Sequence, residues 1–292
     1  MSAININKFT QQSETIAPSG TKLLLVVLPY LVKTDEDIKK KLVRSFLAFP
    51  YGVLTIASYV KSYARNNPTV EVLDLNIENA LDPEELFKRE VSKFKPDIIG
   101  FSMSYDISFK WLKSVSNIAK KINPNIVTVA GGPAVTVAYE EILADAESID
   151  ALCYSEGELG LLGLVESPEP MKKLDGDPWI TKDKIKSSSF KPTAVYEDLD
   201  KVIDVDYELV DVSAYSMKEA FSPFVKFHEG AKQFFIVTSR GCPFECVFCA
   251  EPSFHGANMR YANVDLVVEH ITSLVKNYGL TVLTIYDDQL LM

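Results

Sequence analysis

Between Lys22 and about Glu166, short apolar runs alternate with longer amphipathic stretches, and no other feature of the sequence restricts its fold as tightly. The runs "KLLLVVL", "VEVLDLN", "DIIGFSM", "NIVTVAGG" and "IDALCYSE" have strand length and apolar character. Between the first two, Val53, Ile56, Ala57, Val60 and Ala64 recur at helical spacing, and Leu112, Val115, Ala119 and Ile122 do so between the third and fourth. A parallel return needs a crossover long enough to hold a helix, so strands alternating with helices collect into one parallel sheet. The pattern predicts a doubly wound α/β fold over residues 22–166, preceded by a polar segment at 1–21.

In such sheets ligands bind beyond the carboxyl ends of the strands, where strand order reverses. Those ends carry distinctive residues here. The first strand runs into "PYLVKTDEDIKKKLVRSFLAFPYG", far longer than an ordinary βα connection. The third ends in Ser102, Met103 and Ser104, the fourth in Gly131, Gly132 and Pro133, and the fifth in Ser155, Glu156, Gly157 and Glu158. These are candidate ligand contacts, since glycine lets a ligand approach the backbone closely; Gly-Gly-Pro is equally the composition of a tight turn. From 167 to 232 the periodicity dissolves, which reads as a linker ordered in part by its aromatic residues.

A new strand, "QFFIVTS", opens the segment 233–292 and leads into "RGCPFECVFCAEPSF". After it, Val264, Val267, Val268, Ile271, Leu274, Val275 and Tyr278 form a helical stripe, with Asn263 placed to cap its start and Gly279 to stop it. "LTVLTIYDD" then has the form of another strand, ending in paired carboxylates.

Composition narrows the function. The 292 residues carry 30 Lys plus Arg against 40 Asp plus Glu, a formal charge of −10, which disfavours a broad nucleic-acid surface. The N-terminus lacks a signal-peptide core and "LLLVVLPYLV" is too short to span a bilayer, so a cytoplasmic protein is expected. In a reducing cytosol clustered thiols indicate metal rather than disulfides. Three of the four cysteines, Cys242, Cys246 and Cys249, lie within eight residues. A structural zinc site would need a fourth ligand, from Cys153, His228 or His255. An iron-sulfur cubane with one thiolate on each of three irons would keep its fourth iron open, as catalytic metal centres do. Cys153, inside an apolar run, has the setting of a small buried hydrophobe.

"CPFECVFC" resembles the cluster loop of the radical S-adenosylmethionine superfamily, and the surrounding sequence resembles the branch with an upstream cobalamin-binding domain. "FPYGVLTIASYV", "VEVLDLN", "PDIIGFSMS", "IVTVAGGPAVT" and "YSEGELGLLGLVE" fall in that domain's order and spacing. Ser155 stands where the family usually has glycine, and the stretch Val202 to Val205 lacks the usual prolines. The resemblance implies a Rossmann-like (flavodoxin-like) cobalamin-binding domain followed by the start of a (β/α) barrel. It implies a 4Fe-4S cluster on Cys242, Cys246 and Cys249, with S-adenosyl-L-methionine on the open iron, Phe248 near its adenine, and Asp287, Asp288 and Arg260 as further contacts. Asp287 and Asp288 also suit helix capping or solvent, and Arg260 a plain surface position. Cobalamin would meet Ser102, Met103, Ser104, Gly131, Gly132, Pro133, Glu156, Gly157 and Glu158. All three histidines, His228, His255 and His270, follow the first fold, so none of its imidazoles can ligate cobalt from below.

The family's chemistry is reductive cleavage of S-adenosylmethionine to a 5'-deoxyadenosyl radical, followed by methyl transfer or ring formation on an unactivated carbon. Its partners would be a small-molecule or peptide substrate and a reductant such as flavodoxin or ferredoxin. A radical enzyme's barrel needs roughly six βα units and about two follow Gln233, so a chain truncated within the barrel, inactive by itself, is expected. Two other readings remain: a cobalamin- or nucleotide-binding module without radical chemistry, and a zinc-stabilised structural protein.

Overall fold

The structure is a computed structural model and describes residues 20–30, 47–77, 82–215 and 231–290. Most of the long connection after the first strand, and His228, lie outside the described residues. The first strand, β1 (Lys22–Val27), is apolar from Leu23 onward because it is covered on both faces. Leu24 and Val26 point into one core, and Leu23, Leu25 and Val27 into another, as the twofold period of a strand requires. Helix α1 (Tyr51–Tyr63) follows and packs Val53, Ala57 and Val60 into the second core.

The chain continues through β2 (Thr69–Asp74), α2 (Pro83–Phe94), β3 (Ile98–Ser102), α3 (Phe109–Ile122) and β4 (Val127–Gly131). Two short helices, α4 (Pro133–Val137) and α5 (Tyr139–Asp145), lead to β5 (Ala151–Cys153) and α6 (Glu158–Glu166). Helices α2 and α3 cover the face of Leu24 and Val26 with Leu86, Phe87, Val91, Leu112 and Val115. The opposite face is closed by α1 and by Leu161, Leu164 and Val165 of α6.

Five strands run parallel in the order β2-β1-β3-β4-β5. Order reverses between β1 and β3, which places the crevice where doubly wound folds bind ligands. The expected five parallel strands are all present, and a sixth strand is added. β6 (Trp179–Ile180) comes from the stretch that reads as linker and pairs antiparallel with β5, Leu152 opposite Ile180. At two residues it is too short to show a period, so burial of Trp179 and Ile180 is what holds it to the edge.

Beyond Gln233 two small sheets form. β7 (Gln233–Ile236) pairs in parallel with β10 (Val282–Ile285), and β8 (Ser239–Arg240) pairs antiparallel with β9 (Arg260–Tyr261). Between β8 and β9 lies the cysteine loop with the short α8 (Glu251–Phe254); another short helix, α7 (Pro170–Lys173), lies earlier in the chain, between α6 and β6. Helix α9 (Val264–Ser273) runs from β9 toward β10 and ends in a wider turn over Leu274–Tyr278. Asn263 caps it by accepting from the Asp265 N–H at 2.9 Å, and Gly279 stops it in a left-handed conformation, both as the sequence indicates.

A third core joins the two regions. Phe49, Tyr51 and Leu54 at the start of α1 meet Tyr207 and Tyr215 of the connecting stretch and Phe234, Phe235 and Ile236 of β7. Phe49 stacks on Phe235 at 4.7 Å between centroids, and the Tyr207 hydroxyl donates to the Phe235 carbonyl.

Candidate functional site

A cavity of about 350 Å³ opens at the carboxyl edge of the large sheet, within the range of ligand pockets. Its inner wall runs along Leu25, Gly100, Val129 and Leu161, between the sheet and helices α1 and α6; its outer wall includes Val237, Ser239, Arg240, Glu251, Tyr286 and Asp288 of the second region. Both sets of strand ends therefore face one space.

The structure brings most predicted contacts to this cavity: Ser102, Ser104, Gly131, Gly132, Pro133, Glu156, Gly157, Glu158 and Asp288 line it. Met103 is placed differently. Its side chain is buried in the core below, and its backbone supports Gly132, where φ is +113° and an added Cβ would sit 2.7 Å from the Met103 carbonyl oxygen. Only glycine tolerates that combination. Asp287 is also turned away, accepting from the Thr238 N–H at 2.6 Å, the Ser239 hydroxyl at 2.9 Å and the Thr238 hydroxyl. It ties the end of β10 to the end of β7. Phe248 is almost fully exposed on the cysteine loop.

Ser155 adopts a left-handed backbone, φ +68°, a conformation that glycine would take without a Cβ penalty. Its N–H donates to the Thr136 hydroxyl at 3.1 Å and its own hydroxyl donates to the Phe254 carbonyl, so the loop after β5 touches the cysteine segment directly.

Next to it sits a buried ionic cluster. Glu156, 3% exposed, lies 3.1 Å from Arg240 Nη1 and 3.2 Å from Arg260 Nη1, with Arg260 Nη2 on its other oxygen. His255 Nδ1 is 2.6 Å from the same carboxylate and must donate to it. Glu158 accepts from Arg240 at 2.9 Å and lies 3.3 Å from the Thr55 hydroxyl. Burial alone would raise the Glu156 pKa, but the His255 hydrogen bond, the Arg240 charge and the Arg260 hydrogen bond outweigh it and hold the carboxyl down at about 2. Arg240 is pushed up: burial opposes its charge, and Glu158 and Glu156 more than compensate. Arg260 also lies over the Tyr196 ring at 4.4 Å, so it is neither a surface residue nor a cavity residue.

Cys242 is buried and donates its N–H to the Gly256 carbonyl at 3.1 Å, while Cys246 and Cys249 are exposed. Gly241, φ +98°, lets the loop close on itself, since a Cβ there would lie 2.3 Å from the Asn258 carbonyl oxygen. The Cys249 N–H donates to the Cys246 carbonyl at 3.0 Å, and the Glu251 N–H points at the Cys249 sulfur at 3.4 Å. Among the described residues no three His, Cys, Asp or Glu side chains converge on a single ion position. A cubane places each thiolate on a different iron, so three separate thiols on one loop fit its donor set in kind and number. For cobalamin the fit rests on a cavity at the switch-point edge of the sheet with an apolar inner wall of Leu25, Val129 and Leu161; the glycines at its rim serve packing, since an added Cβ at Gly131, Gly132 or Gly157 would meet Cys153, Met103 or Ile56. Cys153 lines that wall as a buried thiol, its pKa pushed up to about 12 by burial and then by Glu158.

Sequence reading missed Tyr51, Thr55, Arg240, Glu251 and His255 as wall residues. Arg240 immediately precedes the Gly-Cys of the loop, a signal that was available; Tyr51 and Thr55 have none, because only the fold turns the start of α1 toward the second region.

Residues 43–165 match the family model of the B12 binding domain. The large sheet and its helices are thus similar to B12-binding domains. The whole chain has curated relatives as well. An uncharacterized methyltransferase of Pyrococcus horikoshii is 29% identical over 268 residues, 91% of this chain and 53% of that protein. The anaerobic magnesium-protoporphyrin IX monomethyl ester cyclase of Rubrivivax gelatinosus is 27% identical over 239 residues, 80% of this chain and 40% of that protein. Among solved structures, the radical S-adenosylmethionine methyltransferase TsrM of Kitasatospora setae matches in a form with tryptophan substrate and a SAM analog, TM-score 0.60. It matches again with cobalamin and a [4Fe-4S] cluster, TM-score 0.57. At 17% identity, covering 92% of this chain and 48% of that one, this likeness establishes the shared fold. The chain is similar to these curated proteins over most of its own length, and it spans about half the length of the curated relatives it matches. No described helix is long and apolar enough to cross a membrane.

Proposed function

We propose that this chain binds cobalamin at the carboxyl edge of β1–β5, a 4Fe-4S cluster through Cys242, Cys246 and Cys249, and S-adenosylmethionine beside it. The whole protein would then be a cytoplasmic radical enzyme that transfers a methyl group or forms a ring at an unactivated carbon. One observation carries this reading: the cavity at the edge of the large sheet is closed on its far side by the strand ends that flank the cysteine loop. When bound, the cluster and S-adenosylmethionine supply one-electron sulfonium cleavage and hydrogen abstraction, and cobalamin supplies a transferable methyl group.

The chain's own residues bind and orient. Gly131, Gly132 and Gly157 let the rim loops pack tightly on Cys153, Met103 and Ile56 and so fix the edge of the cavity where the ligand would sit. Asp288, facing the cavity at the end of β10, is placed to receive an ammonium group. Exposed Phe248 offers a ring face to the adenine. Fixing Asp287 on Thr238 and Ser239 keeps the two strand ends in register. Apolar walls from Leu25, Val129 and Leu161 exclude water from the inner cavity. The substrate would be a small molecule or peptide, and electrons would come from a flavodoxin or ferredoxin.

The test is anaerobic reconstitution with iron, sulfide and hydroxocobalamin. The expected result is about four irons per chain, one per cubane corner, retained cobalamin, and an electron paramagnetic resonance spectrum that changes when S-adenosylmethionine is added. Substituting Cys242, Cys246 and Cys249 together by alanine should abolish iron uptake and leave cobalamin bound. Iron-free protein that holds one zinc, or cobalamin retention with no iron in the wild type, would overturn the radical assignment.

A further inference from the structure

Arg240 and Arg260 are cross-strand partners in the β8–β9 ladder, so two guanidinium groups stand opposite one another at the neck of the cysteine loop. Like charges directly opposite on a ladder repel, and here both are shielded from water, with Arg240 7% and Arg260 22% exposed. The neutralising charge does not come from the loop or from either strand. It comes from Glu156, one residue past the left-handed turn of Ser155 in the loop after β5, which touches both guanidinium groups. Glu158 takes a second contact on Arg240, giving two carboxylates from one side against two arginines from the other. His255, on the loop itself, donates to Glu156, and the Ser155 hydroxyl reaches the carbonyl of Phe254. Every one of these ties runs between the loop after β5 and the segment that carries the three cysteines.

We propose that Glu156 is a positioning residue: a carboxylate of the loop after β5 that holds closed the neck of the cysteine loop by neutralising the facing Arg240 and Arg260. The spacing of Cys242, Cys246 and Cys249 is thereby set by the same loop that borders the cobalamin cavity, and the two cofactor sites are coupled through it. The cofactor part of this statement rests on the function proposed above; the neck itself does not.

Removing the Glu156 charge leaves two arginines facing one carboxylate. Removing one arginine as well restores the balance, and a residue that served only to fill space would show no such compensation. The experiment is hydrogen exchange on the full chain, without cofactors, for the wild type, Glu156→Gln, Arg260→Gln and the double variant. In Glu156→Gln, amides of residues 239–261 should exchange about tenfold faster or more while those of β3 and β4 keep their protection. The double variant should return to within about threefold of the wild type. Unchanged exchange in Glu156→Gln, or a double variant as loose as the single, overturns the proposal. If Glu156→Gln does not fold, the double variant decides: folding with a protected neck supports the proposal, and continued failure to fold overturns it. A second readout, the electron paramagnetic resonance spectrum of the reconstituted cluster, should differ in Glu156→Gln and revert in the double variant. A wild type that takes up no iron would sink the proposed function and leave the exchange result standing on its own.

Discussion

Glu156 shows how far a single side chain can be displaced from its ordinary chemistry. Its carboxyl titrates at about 2 in the folded protein, against an ordinary value of 4.5. A depressed folded value means the unfolded chain takes up the proton first as pH falls. The stabilisation is therefore complete above about 4.5 and is lost as pH drops through that value toward 2. The shift corresponds to roughly 3 kcal/mol. Urea unfolding measured from pH 6 to pH 2.5 should show wild-type stability falling in this window and Glu156→Gln falling less steeply. Ser155 gives a second test. Ser155→Ala keeps the left-handed backbone and loses the hydroxyl contact to Phe254, whereas Ser155→Gly loses the contact and relieves the backbone. Ser155→Gly should be the more stable of the two by about 1 kcal/mol in chemical denaturation.

Single elements differ in how much of themselves the sequence discloses. β1 and β3 are legible because Leu23–Val27 and Ile98–Phe101 hold no polar side chain, as strands covered on both faces do. Helix α9 is legible in its ends, and Asn263→Ala should cost about 1 kcal/mol of stability through the lost cap, with Asn263→Gly costing only a few tenths. Its inner face is not legible. The apolar stripe is wider than the buried face: in the structure Val267, Ile271 and Leu274 pack inward while Val264 and Val268, on one flank of the same stripe, are exposed. The two-residue strands β6, β8 and β9 escape sequence reading altogether, since a period cannot be seen in a pair. The cysteine triplet stands out in the sequence by its spacing; the ionic neck beside it does not, because Glu156 and Arg240 lie far apart in the chain and meet only after both regions have folded.

At the scale of the whole molecule, the two regions adhere through the third core rather than through a thin hinge. Tyr207, 2% exposed, is stacked near Phe49 and packs edge-on against Phe234. Tyr207→Ala should cost about 3–5 kcal/mol, as for other large aromatic truncations in cores. It should also split thermal unfolding into two transitions, because the first sheet keeps its own cores on both faces when this contact is lost. A single shifted transition in calorimetry would show instead that the regions fold as one unit.

Helix α1 is a party wall: Val53, Ala57 and Val60 belong to the large sheet, and Tyr51 and Leu54 to the core around β7. A clamshell opening along it would bare aromatic and aliphatic surface to solvent on every cycle. Swinging the two regions apart about that helix therefore carries the cost of wetting both cores at once.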